Sequence, residues 1–541
     1  MTGNFAERRA AMVAAGHWRD RTLLDHLAFH VGNTPEKVAI VSCKAHEDVG
    51  PRLTYRDIDD LSARLAGQLS ALGVGRGDVV SFQLPTWWEF SILHLACLKI
   101  GAISNPLMTI LRERELRFML GQSGARVLTV PAMFRGFDYA AMARSLRDQL
   151  PTLQHVFVVD GEGAEGFGRL LEQDAGSCAS PLAPAHADDA IQLLYTSGTT
   201  GQPKGVMHSS NTMLSNLYAF TERLRLNGDD VVHMPSPMGH QLGFMYGLVM
   251  PILLGATVVL QDVFSPSAMA QQVIGEGATF TMGATPFLND FVDEVERNGL
   301  ATPMLRTFVS AGAPIPRALV SRARQILGAS IISGWGMSEN GAVTTTCIED
   351  PEELVTGTDG RALPGMEVRV LDVDGAPAPA DVAGELMVRG CSNFLGYFGQ
   401  PDGAALDDGG WFDTGDIARM DAQGYIRITG RSKDIIIRGG ENIPVVEIEE
   451  LLYRHPAIAV VAVVGFPHPR LGEQACAFVV LREGETLSFP DMQMYLRQQD
   501  MAIQYIPERL EIVSSMPQTP SGKIQKFRLR QHLVDAGANA A

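Results

Sequence analysis

A chain of 541 residues exceeds one ordinary domain, and with 46% hydrophobic residues it can fill several cores. Charged residues make up 19% and the formal net charge is −17, which excludes a disordered chain and the basic footprint of a general nucleic-acid binder. The six cysteines (Cys43, Cys97, Cys178, Cys347, Cys391, Cys476) form no CxxC pair, which argues against a zinc site or disulfide framework and suits a reducing compartment.

From the N-terminus, MTGNFAERRAAMVAAGHWRD carries no signal pattern. Val38–Cys43 reads as a short apolar strand. RLTYRDIDDLSARLAGQLSALG reads as a helix, with Thr54 as N-cap and a stop at Gly73. Asp78–Leu84 is a second strand, Trp87–Ile100 an apolar helix, then ERELRFMLGQSG a helix and ARVLTVP a strand. Strands alternating with helices predict an α/β fold, with mostly parallel sheets covered by helices. Gly161–Pro184 reads as a surface excursion. Its GEGAEG, Gly161 to Gly166, matches GxGxxG, but Glu162 and Glu165 would oppose a pyrophosphate, so a turn is the better reading.

AIQLLY (Ala190–Tyr195) is a buried-strand pattern that runs into TSGTTGQPKG. Gly198 and Gly201 let backbone N–H groups turn inward, Thr196, Ser197, Thr199 and Thr200 add hydroxyls, and Lys204 adds a positive charge. Together they make a polyphosphate cradle without Walker A spacing. Leu242 to Leu260 has the length of a membrane span, but Pro251, Gly255 and the β-branched GATVVL predict a buried helix followed by a buried strand. No transmembrane segment is expected. Near Gly430 the pattern changes: RSKDIIIRGGENIPVVEIEELLYRHPAIAVVAVVGFP predicts a strand, a turn, a helix starting near Pro444 and another strand, opening a small α+β domain.

YTSGTTGQPKG resembles the signature of the acyl-adenylate-forming superfamily, the AMP-dependent synthetases and ligases, and further motifs follow in family order. AGAPIP, with Gly312, Ala313 and Pro314, is similar to the backbone turn against adenine. GWGMSENG places Gly334, Trp335, Gly336, Met337 and Ser338 in the ATP site, with Trp335 where Tyr is usual and free to stack on a purine. The resemblance makes Glu339 the Mg²⁺ carboxylate, with Thr196 as a second metal contact, and Asp416 of WFDTGD the ribose anchor. It gives Arg431 to ribose or phosphate, Lys433 to a hinge, and Gly439 and Gly440 of GGEN to the CoA tunnel. Lys523 of PQTPSGKIQKFRLR becomes the catalytic lysine, whose ammonium stabilises charge built on the α-phosphate, while Lys526 and Arg528 read as surface cations.

The implied layout is a large core domain over residues 1–430 and a small mobile lid over 431–541. PMGHQLGF aligns with the acid-lining segment, giving Gly239, His240 and Phe244 to the acyl pocket and His240 to the catalytic set. His240 replaces the Asp of amino-acid-activating members, and Gly239, where an aromatic is common, is expected to open room. Met245, Tyr246 and Leu248 favour an apolar acid: medium-chain, alicyclic or aryl. The implied reaction is a cytoplasmic ATP- and CoA-dependent acid ligation. Loading of a carrier protein is the alternative, and a homodimer is compatible with the sequence.

Overall fold

The structure, a computed structural model, describes residues 3–45, 50–172, 182–196, 203–311, 315–400, 405–431, 436–438, 441–468, 472–499, 501–519 and 522–538. Among these residues the strands form two large sheets, two smaller ones and a two-stranded ribbon.

The nine-stranded sheet has a parallel centre. Ser330–Met337, Thr307–Ala311, Phe280–Gly283, Val231–Met234, Thr257–Gln261 and Val38–Cys43 lie side by side in that order. The seven-stranded sheet repeats the plan: Ala190–Thr196, Ile103–Pro106, Val79–Phe82, Val127–Pro131 and His155–Val159 run parallel, with Lys204–Ser209 added antiparallel at one side. One core draws on both, with Ile40 and Val258 from the first and Val80 and Ile191 from the second.

The helices between them form for local reasons. Tyr55–Ala71 starts at a capping box, in which Thr54 Oγ1 accepts from Asp57 N and the Asp57 carboxylate accepts from Thr54 N at 2.7 Å. It buries Ile58, Leu65 and Leu69. Trp88–Ile100 is buried on nearly every face, which suits a helix enclosed between sheets, and Gly101 ends it in the left-handed region at φ 69°.

The apolar stretch from Leu242 folds as expected. Gln241–Phe244, a π-helical turn at Met245–Val249 and Met250–Leu254 are followed by the strand Thr257–Gln261, largely buried. Among the described residues no helix is long and apolar enough to cross a membrane. The GxGxxG match is a short 3₁₀ turn, Gly163–Glu165, with Glu165 held 2.7 Å from both Arg144 and Arg147.

The N-terminal helix, Gly3–Ala14, is sewn to a distant segment. Arg8 donates to the carbonyls of Phe394 (3.0 Å) and Gly390 (3.3 Å), and Trp18 Nε1 donates to Cys391 O at 2.8 Å. Burial draws the Arg8 guanidinium down to about 10.

Past residue 366 the chain builds a four-stranded antiparallel sheet, ending with Phe412–Met420 and Ile426–Arg431. From Ile436 the strands belong to a separate five-stranded sheet, dominated by the hairpin Ile458–His468 with Gly472–Leu481. Ile448 and Leu452 of the helix Val445–Tyr453 pack with Val463, Val479 and Leu496 into a core of its own.

Candidate active site

Thr196 sits at the carboxyl end of a parallel strand, where α/β folds place ligands. Ala190–Thr196 delivers Thr196 there, and Lys204–Ser209 returns antiparallel with Lys204 opposite Thr196. Thr196 Oγ1 approaches Lys204 O at 3.5 Å. Lys204 therefore opens a strand rather than closing a free loop, and its Nζ lies 4.8 Å over the Tyr397 ring. Ser197, Gly198, Thr199 and Thr200 lie outside the described residues, as do Gly312, Ala313, Pro314, Lys433, Gly439 and Gly440.

The GWGMSENG run is a strand turning on itself. Ser330–Met337 pairs antiparallel with Gly341–Thr345, and Ala311 lies opposite Gly334. A Cβ at Gly336 would collide with the Gly341 carbonyl, so only glycine allows this approach. The turn presents Ser338 and Glu339. Its backbone is fixed from outside: His208 Nε2 bonds Ser338 O at 2.8 Å, and Phe394 N donates to Glu339 O at 2.7 Å. The Glu339 carboxylate is buried and accepts from Tyr397 OH at 2.8 Å. Burial, then the Glu339 charge, holds the Tyr397 phenol well above its ordinary range.

Among the described residues no cluster of three or more His, Cys, Asp or Glu could hold a metal. A single oriented carboxylate nevertheless fits Mg²⁺, which keeps several waters and is shared with nucleotide phosphates rather than caged.

Asp416 stands on Phe412–Met420, directly opposite Arg431 in the next strand. Its backbone N–H donates to Thr414 Oγ1 at 3.0 Å, and Gly415 takes φ 68°, so the Thr-Gly-Asp turn is self-fastened. The buried Asp416 Oδ2 accepts from Trp335 Nε1 at 2.9 Å. Trp335 is thus tied edgewise to the carboxylate, a contact its expected stacking role did not include.

In the acid-lining segment His240 caps Gln241–Phe244, its Nδ1 accepting from Leu242 N at 3.3 Å. Desolvation, then the charge of Lys523, lowers its pKa to about 4. The ring is neutral at ordinary pH, and with Nδ1 accepting, its proton sits on Nε2 as a donor. Gly239 does not open room as expected. A Cβ there would lie 3.2 Å from Leu107 O and Met108 Cα, so backbone already takes the space. Phe244 is fully buried, edge-on to His94 with ring centres 4.8 Å apart. Tyr246 joins this segment to the Glu339 turn, donating to Asn216 Oδ1 at 3.0 Å and accepting from Ala342 N at 2.8 Å.

Lys523 is exposed and follows a tight turn. Its N–H donates to Thr519 Oγ1 at 3.0 Å, and Gly522 takes φ 82°. A Cβ on Gly522 would meet Ala284 and Phe287 at 3.5 Å, so the turn rests on the start of the helix Thr285–Arg297. Lys526 is not a loose surface cation: it pairs with Glu449 at 2.7 Å, each about one-fifth exposed.

The AMP-binding enzyme profile matches residues 27–398, and the profile of its C-terminal domain matches 447–523. The chain belongs to the AMP-binding enzyme family. It is 38% identical to a medium-chain fatty-acid–CoA ligase of Escherichia coli (strain K12), over 98% of this chain and 93% of that protein. It is 34% identical to a salicyl-AMP ligase / salicyl-S-ArCP synthetase of Mycobacterium tuberculosis, over 98% and 94%. Among solved structures, an anthranilate CoA ligase in complex with anthranoyl-AMP superposes with TM-score 0.86 at 26% identity, covering 96% of this chain and 98% of that one. Membership and relatives make this AMP-binding family chain an ATP-dependent, AMP-forming ligase.

His208, Tyr397 and Asn216 had no signal in the sequence, and Tyr246 stood out there only for its apolar neighbourhood. Their contacts reach residues far along the chain, and no spacing rule records that.

Proposed function

We propose that this chain joins an apolar carboxylic acid to AMP and then transfers the acyl group to CoA. In the first step a carboxylate oxygen attacks the α-phosphorus of ATP, the bond to the β-phosphate breaks and pyrophosphate leaves. In the second the CoA sulfur, having lost its proton, attacks the acyl carbon and AMP leaves.

Lys523 stabilises charge on the α-phosphate, Asp416 and Arg431 hold the ribose side, and residues 196–200 with Lys204 receive the departing phosphates. The turn at 312–314 and Trp335 take the adenine, and His240 offers Nε2–H beside the acid. Glu339 and Thr196 would hold Mg²⁺, which supplies charge neutralisation on the phosphates. Residues 431–541 move about Lys433, so that Gly439 and Gly440 admit the pantetheine arm after Lys523 withdraws. A cytoplasmic location, where ATP and CoA are supplied, belongs to the same reading.

The observation that carries the reading is the seat of the Lys523 turn. It rests on the large domain at Ala284 and Phe287, close enough to His240 for the ammonium to lower that imidazole's pKa. An apolar acid is favoured because a neutral His240 and the buried Phe244, Met245 and Leu248 line that side. Two relatives accord with it: one is named a medium-chain fatty-acid–CoA ligase and another a salicyl-AMP ligase.

The test is AMP and pyrophosphate release with CoA over straight-chain, alicyclic, aryl and amino acids. Medium-chain or aryl acids are expected to dominate, and Lys523→Ala to abolish ATP–pyrophosphate exchange while still converting supplied acyl-adenylate to thioester. Preference for amino acids, AMP release only with a carrier protein, or exchange surviving in the variant each overturns the corresponding part.

A further inference from the structure

We infer that Trp335 is a positioning residue for ribose recognition, its indole N–H fixing the carboxylate of Asp416. The inference rests on the reading of Asp416 as the ribose anchor.

The two residues come from different sheets. Trp335 lies on Ser330–Met337 of the nine-stranded sheet, and Asp416 on Phe412–Met420 of the four-stranded one. A 2.9 Å bond from Nε1 to Oδ2 joins them, between residues 9% and 3% exposed. An indole donates and cannot accept, so the bond has one sense. A carboxylate offers about four acceptor positions. The one taken by the indole restrains the rotation of the carboxyl group that would blur recognition of two neighbouring hydroxyls.

The backbone of Asp416 is fastened separately through Thr414, and the indole bond acts on the side chain at Oδ2. A ring that only stacked on purine would serve ATP and 2′-deoxyATP alike. A ring that aims Asp416 serves the nucleotide whose sugar carries both hydroxyls.

The experiment is calorimetric binding of ATP, 2′-deoxyATP and 3′-deoxyATP to the full chain and to Trp335→Phe, which keeps an aromatic face and loses the N–H. The wild type is expected to prefer ATP. In W335F the affinity for ATP should fall about tenfold, the worth of one hydrogen bond to a charged acceptor. Affinity for the deoxynucleotides should move less than about twofold by the same reasoning, so the preference collapses. Equal loss for all three nucleotides, or no loss, overturns the inference. A wild type that does not discriminate overturns instead the ribose reading of Asp416. Should W335F fail to fold, the indole proton of Trp335 in the wild-type protein gives the same answer by NMR. It should shift on binding ATP and much less on binding 2′-deoxyATP, and equal shifts overturn the inference.

Discussion

Tyr397 reaches Glu339 from 58 positions away in the chain, and its hydroxyl points the carboxylate that the family resemblance gives to Mg²⁺. Removing the hydroxyl takes away one contact that orients the carboxylate. Tyr397→Phe should therefore raise the Mg²⁺ concentration for half-maximal ATP–pyrophosphate exchange about fivefold, matching one lost hydrogen bond of about 1 kcal/mol, with kcat at saturating Mg²⁺ nearly unchanged. Glu339→Gln should lower kcat itself. Titration of exchange against Mg²⁺ separates the two, and a Tyr397→Phe curve that superposes on wild type refutes the assignment. At this scale the sequence was legible only where a residue belonged to a motif. Glu339 and Asp416 stood out by their neighbours, whereas Tyr397, His208 and the indole contact of Trp335 are partners chosen by the fold. Gly239 misled for the same reason, because the backbone that fills its space comes from residues 107 and 108.

Among elements, the helix Val445–Tyr453 adds contacts between the small and large parts beyond the Gly522 turn. Tyr453 OH donates to Asn289 Oδ1 at 2.8 Å, and Glu450 pairs with Arg427, which also lies 3.7 Å from Asp359. The same helix holds Lys526 through Glu449, and so reaches toward the segment that follows Lys523. On the proposed reading these contacts favour the adenylating arrangement, and moving the small part would break them. Glu450→Ala and Asn289→Ala are expected to reduce ATP–pyrophosphate exchange several-fold, while conversion of supplied acyl-adenylate stays within about twofold, since each ~1–2 kcal/mol lost shifts the population away from one arrangement. Equal loss in both half-reactions contradicts this. The helix itself was readable from Pro444 and its apolar spacing. Its docking was not, because exposed-looking Glu450 and Tyr453 carry no periodic signal. The alternation of strands and helices in the first half was similarly plain, and Thr54 and Gly101 mark ends by local chemistry. Which strands neighbour which was not, since parallel order is settled by crossovers and not by neighbours in sequence.

Over the whole molecule, several histidines are buried neutral. Desolvation holds His94 down to about 3 and, as its largest cause, His208 and His233 to about 4, while an unfolded imidazole titrates at 6.5. Between those values the unfolded chain binds protons that the native chain does not. Stability is therefore full above about pH 7 and falls as pH drops through 6.5 toward 4, each group costing up to about 3 kcal/mol. The unfolding midpoint should decline steadily over that window, and His233→Gln should make the decline shallower by up to one proton's worth. A midpoint flat from pH 7 to about 4.5 would show that these rings are not neutral in the native state.

The stitch between the first helix and residues 390–394 spans 386 positions from Arg8 to Phe394. A chain made from its N-terminus cannot close that stitch until residue 394 has been synthesised, and long-range closures of this kind are slow to form. The segment it secures continues to Tyr397 and thus to Glu339. The nascent chain can build its early strands and helices in order, but the corner that would grip the nucleotide is finished late.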